Sequence, residues 1–238
     1  MCGRFIQHSP SSAYAELFGI EADLGETRPR FNLAPSQPLL AARTGLSGKP
    51  ELTFLRWGLV PSWSKGPDQR FSMINARAET LDQKPAYRGP FRYRRCLIPT
   101  EGFYEWKSEQ GGKQPYLIRL RSRRPFALAG LWDHWQDPNG SELETCTLIV
   151  TDANPLVAPI HDRMPVILPP AVWDTWLDPH QQDSRALRSL LVPFDPASLE
   201  AYPVSRAVNN TRIDEPSLIE PVRITPLSAT GSVFELVT

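Results

Sequence analysis

Residues 94–107 read Arg94-Arg95-Cys96-Leu97-Ile98-Pro99-Thr100-Glu101-Gly102-Phe103-Tyr104-Glu105-Trp106-Lys107. They hold two short β-like runs, 94–99 and 103–107, divided by a proline, a charge and a glycine. Similar runs lie on either side, at 3–7, 37–42, 52–58, 115–121, 126–131, 145–151 and 165–168, each bounded by Pro, Gly or charged turns. Helical signals are fewer. Ser9-Pro10 ahead of Tyr14, Leu17, Phe18 and Gly19 predicts a short helix with Ser9 as N-cap, Pro10 at the first helical position and a terminating glycine. Two more helices are expected at 170–177 and 183–192. Many short strands with few helices predict an α+β fold with a largely antiparallel, barrel-like sheet. Regular βαβ alternation is missing, as are GxGxxG and GxxxxGK[ST], which sets aside Rossmann and P-loop nucleotide binding. The 25 prolines are spread throughout, with no repeat, low-complexity tract or long linker, so a single domain over 1–238 is expected.

The chain balances 26 Lys and Arg against 26 Asp and Glu, yet the charge is unevenly placed. Residues 1–130 hold 20 basic and 11 acidic side chains, a net +9, and residues 131–238 hold 6 and 15, a net −9. Of the 26 basic residues 21 are Arg, whose planar fork matches phosphate, so a polyanionic partner for the first half is one reading. Mutual neutralisation of the two halves is the other. Cys2, Cys96 and Cys146 are odd in number and lack metal-ligand spacing, which argues against a disulfide framework or a zinc site and for a reducing, cytoplasmic setting. No apolar run reaches the ~18 residues of a membrane helix, and Met1–Pro10 lacks the apolar core of a signal peptide, so no membrane partner is expected.

Four places bear chemistry. Cys2 follows the initiator Met and is small, so removal of Met1 leaves a free α-amine and a thiol on one residue. With reference pKa values of about 7.7–8.0 and 8.5, both nucleophiles are accessible near neutral pH. An aldehyde would condense with such an aminothiol to an imine and then a thiazolidine; alternatively the amine serves as base for thiol attack on a carbonyl. A cysteine that merely stands second is the plain alternative. Glu105 sits within Phe103-Tyr104-Glu105-Trp106, where apolar surroundings favour its protonated form and suit a general acid. Strand alternation puts Phe103 and Glu105 on one face, Tyr104 and Trp106 on the other, which a solvent-facing glutamate explains poorly. His161 opens a charged island before Pro165-Val166-Ile167-Leu168, as a proton-transfer group or a structural histidine. In Ile74-Asn75-Ala76-Arg77, an amide and a cation two positions apart project from one side of an extended segment, unless Asn75 only makes a turn. Trp63, near a basic stretch, is a candidate for stacking on a base, although core packing accounts for most of the seven tryptophans.

Taken in order, MCGR at 1–4, RFNLAPSQ at 30–37, RWGLVPSW at 56–63, INARAET at 74–80, RRCLIP at 94–99, GFYEW at 102–106, ALAGLW at 127–132, IHDRMPVIL at 160–168 and VSRAVNN at 204–210 form a series. It resembles the SOS response-associated peptidase (SRAP) family over nearly the whole chain. The resemblance implies the SRAP fold, and a sensor of abasic sites in single-stranded DNA that captures the lesion by a thiazolidine link to the mature N-terminal cysteine. The matching residues are Cys2, Asn75, Glu105 and His161 for the reaction, and Arg4, Asn32, Pro35, Trp63, Arg77 and Arg163 for DNA contacts. The four histidines show no HExxH and no ligand spacing with the cysteines, so no metal is expected, and the cysteine amine and thiol need no cofactor. A monomer, and a bacterial cytoplasmic protein working at the nucleoid, are expected, and no motif names a replication-fork partner. The peptidase label points to self-removal of Met1, with lyase chemistry as a further possibility of the same groups. Some members carry two adjacent tryptophans where this chain has Trp63-Ser64. The rival readings are an N-terminal-nucleophile amidohydrolase or amidotransferase, and a non-covalent single-strand-binding module.

Overall fold

The two runs of 94–107 are adjacent strands that enter different sheets. The computed structural model describes residues 2–22, 24–45, 47–66, 73–109, 112–137 and 139–223. Its first strands are β1 (Arg4–Gln7), β2 (Arg30–Leu33), β3 (Pro38–Thr44), β4 (Pro50–Trp57) and β5 (Asn75–Arg77). They are followed by β6 (Arg95–Thr100), β7 (Gly102–Glu109), β8 (Gly112–Leu120), β9 (Phe126–Gln136), β10 (Glu142–Asp152), β11 (Arg163–Pro165), β12 (Ile167–Leu168) and β13 (Leu199–Pro203). The helices are α1 (Ser11–Phe18), α2 (Pro85–Tyr93), α3 (Trp173–Leu177) and α4 (Ser184–Ser189).

Strands β3, β4, β10, β9 and β6 pair in a ring that closes on itself, antiparallel except where β10 runs parallel to β4. Closure leaves no free edge within the ring, which is the usual remedy for exposed strand edges. One set of ring side chains, including Leu40, Ala42, Leu97, Ala129 and Ile149, packs with Tyr14 of α1, Phe91 of α2 and Trp176 of α3. A ring of five strands is too narrow to hold a helix inside. The alternate set, Leu39, Ala41, Leu55, Trp57, Cys96, Ile98, Leu128, Cys146 and Leu148, is therefore the interior. The second sheet, in the order β13-β8-β7-β1-β2, adds Phe5, Leu33, Phe103, Ile118 and Leu199 to that interior cluster. Its other face, with Ile6, Tyr104 and Leu117, is covered by Val208 and Leu218 of the later chain.

The junction at 100–102 sends the chain from ring to sheet. Thr100 Oγ1 donates to Ile6 O (2.7 Å) and accepts from Gly102 N (3.1 Å). The Glu101 carboxylate accepts from Tyr14 Oη (2.7 Å) and His8 N (3.0 Å). At Gly102 a Cβ would stand 2.9 Å from Leu117 Cδ1 and 3.0 Å from Ile118 O, so β7 and β8 approach closely only with glycine there.

The expected α+β, barrel-like fold is present, with corrections at particular elements. In α1 Pro10, not Ser9, occupies the N-cap, with no side-chain cap, while Gly19 ends the helix as expected at φ 65°. The 170–177 helix begins as a 3-10 turn, and 165–168 is interrupted between β11 and β12. Strands β2 and β13 and helix α2 were not anticipated. Helix α2 contains Gly89 and Pro90, which read as breakers, but tertiary contacts hold it. Buried Arg95 donates to the carbonyls of Phe91 (2.8 Å) and Arg92 (2.6 Å) at its end, to Trp176 O (2.5 Å) within α3, and to Gln181 O (3.0 Å) and Asp178 O beyond it. No helix among the described residues is long and apolar enough to cross a membrane.

Candidate functional site

Cys2 stands just before β1, fully buried against the interior cluster. Free-peptide pKa values suggested an accessible thiolate, but the fold overrides them. Burial, and secondarily the charge of Glu105, push the Cys2 thiol well above the usual thiol range. Its S–H faces Arg4 O at 3.8 Å. Asn75, at the start of β5, donates from Nδ2 to Cys2 O at 2.8 Å. Strand β5 is itself held parallel to β10, with Leu148 opposite Asn75. Asn75 Oδ1 is buried with no hydrogen-bond partner among the described residues.

Pairing of β1 with β7 puts Arg4 opposite Tyr104, so Glu105 lies one step further, beside the Cys2-Gly3 end. Alternation is as expected: Phe103 joins the cluster containing Cys2, Tyr104 and Trp106 the opposite one. Glu105 is buried, and desolvation lifts its carboxyl to about 7 against the pull of the positive chain terminus. It is thus divided between acid and base forms near neutral pH.

His161 ends the turn between β10 and β11, and burial followed by the charge of the chain terminus holds its imidazole below the usual range. Two contacts compete for one nitrogen. Arg163 N donates to Nδ1 at 3.0 Å, which needs an unprotonated Nδ1, while Asp162 Oδ1 lies 2.8 Å from the same atom, which needs a proton there. The lowered pKa favours a neutral ring, and the tautomer that accepts from Arg163 N carries its proton on Nε2, with the exposed Asp162 carboxylate able to turn to solvent.

A cavity of about 420 Å³ is lined by Arg4, Glu105, Trp106, Lys113, His161 and Asn209. A second cavity of about 550 Å³, at Gln7, Arg28, Arg30, Phe54 and Asp214, contains none of the reactive candidates. The first is the candidate site, because chemistry and concavity coincide there. Lys113, Trp106 and Asn209 had no assigned role from the sequence. Trp106 Nε1 donates to Asn209 Oδ1 (2.7 Å), joining two of the quoted blocks, whereas nothing local to Lys113 marks it.

The remaining residues divide between this cavity and other surfaces. Arg4 Nη1 donates to Asn32 Oδ1 (2.8 Å) and Val208 O (2.7 Å). Asn32 is fully buried, and its Nδ2 is directed to the carbonyls of Val208, Asn210 and Ile213 at 2.8–3.2 Å. It therefore stands behind Arg4 and does not line the cavity. Pro35 precedes Ser36, which takes φ 70° and donates its N–H to Trp57 O (2.8 Å). Trp63 is 66% exposed on a turn pinned by Ser62 N to Asp133 Oδ2 (3.0 Å) and Trp135 Nε1 to Ser64 O (2.9 Å). Arg77 is exposed at the end of β5. Arg163 donates to Glu79 Oε1 and lies 3.2 Å from Asp152 Oδ1. Met1 lies outside the described residues.

Comparison with known proteins places this geometry. The abasic site processing protein YoqW of Bacillus subtilis is 46% identical over 223 residues, 92% of this chain and 99% of that protein. The abasic site processing protein HMCES of Gallus gallus is 35% identical over 231 residues, 84% of this chain and 68% of that protein. A crystal structure of a Bacteroides thetaiotaomicron protein superposes with a TM-score of 0.82 at 26% identity, covering 93% of this chain and 100% of that one. The family model for SOS response associated peptidase (SRAP) matches residues 1–211, and with relatives of this identity and coverage the chain belongs to the SRAP family.

Proposed function

We propose that this protein processes abasic sites in single-stranded DNA by covalent capture on Cys2, residues 1–238 acting as one domain and a monomer. The observation that carries the reading is the convergence of Asn75 on the Cys2 carbonyl with a buried carboxyl near pKa 7 beside it, at a cavity open to a ligand. The abasic processing stated in the names of the YoqW and HMCES relatives supports the substrate.

The chemistry follows from the groups. Loss of Met1 frees the Cys2 amine, the one peptide bond to which the peptidase label applies. As the abasic sugar opens to its aldehyde, the C1′ hydroxyl gives up a proton and the ring oxygen gains one; neutral His161 relays it, donating from Nε2 to the ring oxygen and regaining the hydroxyl proton at the same nitrogen through water. The amine nitrogen attacks the aldehyde carbon, giving a carbinolamine. Glu105, protonated, delivers its proton to the carbinolamine hydroxyl, which leaves as water, and the protonated imine (iminium) forms, leaving Glu105 as the carboxylate. The Cys2 thiol then adds its sulfur to the iminium carbon, the nitrogen keeps its hydrogen as the ring N–H, and the thiol proton returns to the Glu105 carboxylate, closing the thiazolidine. A high thiol pKa is workable because the proton is handed to Glu105 during attack rather than released beforehand. No cofactor enters these steps. Asn75 holds Cys2 in place through its carbonyl.

Arg4, Arg77 and Arg163 face phosphates in this reading, Trp63 stacks on a base, Pro35 borders the strand, and Asn32 orients Arg4. Action at the bacterial nucleoid in the cytoplasm is part of the same proposal. The test is intact mass after incubation with a single-stranded oligonucleotide carrying one abasic site. A heat-stable adduct equal to protein lacking Met1 plus oligonucleotide minus water is expected. Binding without any adduct would favour the non-covalent module, and glutamine hydrolysis the amidohydrolase.

A further inference from the structure

His161 is carried by a ten-residue connection between two paired strands, and the residue that shapes that connection lies at its other end. Asn154 is 3% exposed, so its amide must be satisfied internally. Its Oδ1 accepts from Leu156 N (3.1 Å) and Val157 N (3.0 Å), and its Nδ2 donates to Phe194 O (2.8 Å). Its own carbonyl accepts from Ala158 N (2.9 Å). These bonds wind residues 154–158 into a turn whose Val157 carbonyl then accepts from His161 N at 3.0 Å. The exit is closed by Ala153 N to Asp162 O (3.0 Å), after which β11 pairs with β10. Val157 is fully buried in the interior cluster, so the turn is anchored at its middle as well as its ends.

We propose that Asn154 is a positioning residue for His161: its buried amide folds the 154–161 turn and so sets where the imidazole stands at the cavity. Removing the Oδ1 acceptor leaves the Leu156 and Val157 N–H groups without their side-chain cap and releases the link to Phe194, so the far end of the turn drifts. The Arg163 N–H to Nδ1 bond, which selects the Nε2–H form of the ring, depends on that placement. The kinetic part rests on the reading of His161 as a proton-transfer group; the geometric part does not.

The experiment compares wild type, Asn154→Ala, Asn154→Ser, His161→Ala and the Asn154→Ala/His161→Ala double variant. Single-turnover adduct formation and equilibrium binding are measured with the same abasic single-stranded oligonucleotide. Ring ¹⁵N resonances of His161 are followed in protein labelled at histidine. Asn154→Ala is expected to slow adduct formation on the order of 10²-fold, as loss of a general acid does, with binding unchanged. The double variant should be no slower than His161→Ala, and the His161 nitrogens should move away from the Nε2–H pattern. Asn154→Ser, whose hydroxyl oxygen caps the same N–H groups, should recover most of the rate, and it carries the test if the alanine variant does not fold. Wild-type rate with unmoved His161 resonances overturns the proposal, and so does a double variant slower than His161→Ala by the full single-variant factor. Absence of any adduct from wild type instead removes the functional reading, and the resonances then decide the positioning claim alone.

Discussion

Cys2 and the pair Cys96 and Cys146 belong to one buried cluster, all three fully enclosed and all three with thiols raised by desolvation. Their surroundings differ. Cys96 packs against the position of Gly130, where a Cβ would come within 2.8 Å of its sulfur, and Cys146 lies on the neighbouring ring strand. Cys2 has a carboxyl near neutrality beside it, an amide on its carbonyl, and a cavity lined by that same carboxyl. Burial alone makes a thiol inert. What separates the regions is a neighbour able to take the proton, together with a way in for the partner.

Replacing the cysteines one at a time is the strongest attempt to break that contrast. Cys2→Ala is expected to abolish the heat-stable adduct, while Cys96→Ala and Cys146→Ala keep it and lose about 1 kcal/mol of stability from lost packing. Intact mass and thermal unfolding read the two effects. An adduct of normal yield from Cys2→Ala erases the distinction.

Glu105→Gln probes the proton acceptor directly. Gln keeps the shape but cannot donate and accept in turn, so adduct formation should slow by about 10²–10⁴-fold with binding unchanged. The same variant has a stability signature. The folded-state pKa of Glu105 is raised from 4.5 to about 7, so the folded state holds the proton more tightly and is favoured at low pH. That contribution is lost as pH rises from 4.5 through about 7, and Gln does not share the loss. Glu105→Gln should therefore gain on wild type across that window, by roughly 3 kcal/mol at the plateau, checked by denaturant unfolding at pH 4 and pH 8. A constant difference between the two proteins would place the carboxyl in a wetter setting.

The outer surface should respond least. Arg77→Ala is expected to weaken single-strand binding a few-fold and reduce the slope of log affinity against log salt by about 1. Glu79→Gln, which releases Arg163 from an exposed ion pair, should strengthen binding by less than about fivefold. Titrations at several salt concentrations measure both, and a weaker Glu79→Gln would mean that the pair orients Arg163 for the nucleic acid.

Legibility in the sequence tracked local pattern. The strands around 94–107 and the Phe103/Tyr104/Glu105/Trp106 alternation were readable because each half-turn of pleat faces a different cluster. Helix α2 was not, since Gly89 and Pro90 argue against it locally, and it is held by tertiary contacts: Phe91 in the core and Arg95 on its last carbonyls. Strand β2, with Arg30 and Asn32 among its four residues, carries no strong strand pattern; its Asn32 is buried because the 208–213 segment supplies the carbonyls. Asn154-Pro155 marks a turn in the sequence, but not that the turn carries His161, nor the Asn154 link to Phe194 forty residues away.

The sequence by itself determined which chemistry was on offer: an aminothiol after Met1, a carboxylate among aromatics, an amide, an imidazole, and β-forming runs to carry them. Only the tertiary structure decided that these groups meet, because Cys2, Asn75, Glu105 and His161 come from four separate segments. Long-range pairing of β1 with β7 and of β5 with β10 supplies that proximity. It decided their protonation as well, since a pKa depends on how much water the fold removes, and that quantity exists only once the sheet and the ring have closed around the side chain.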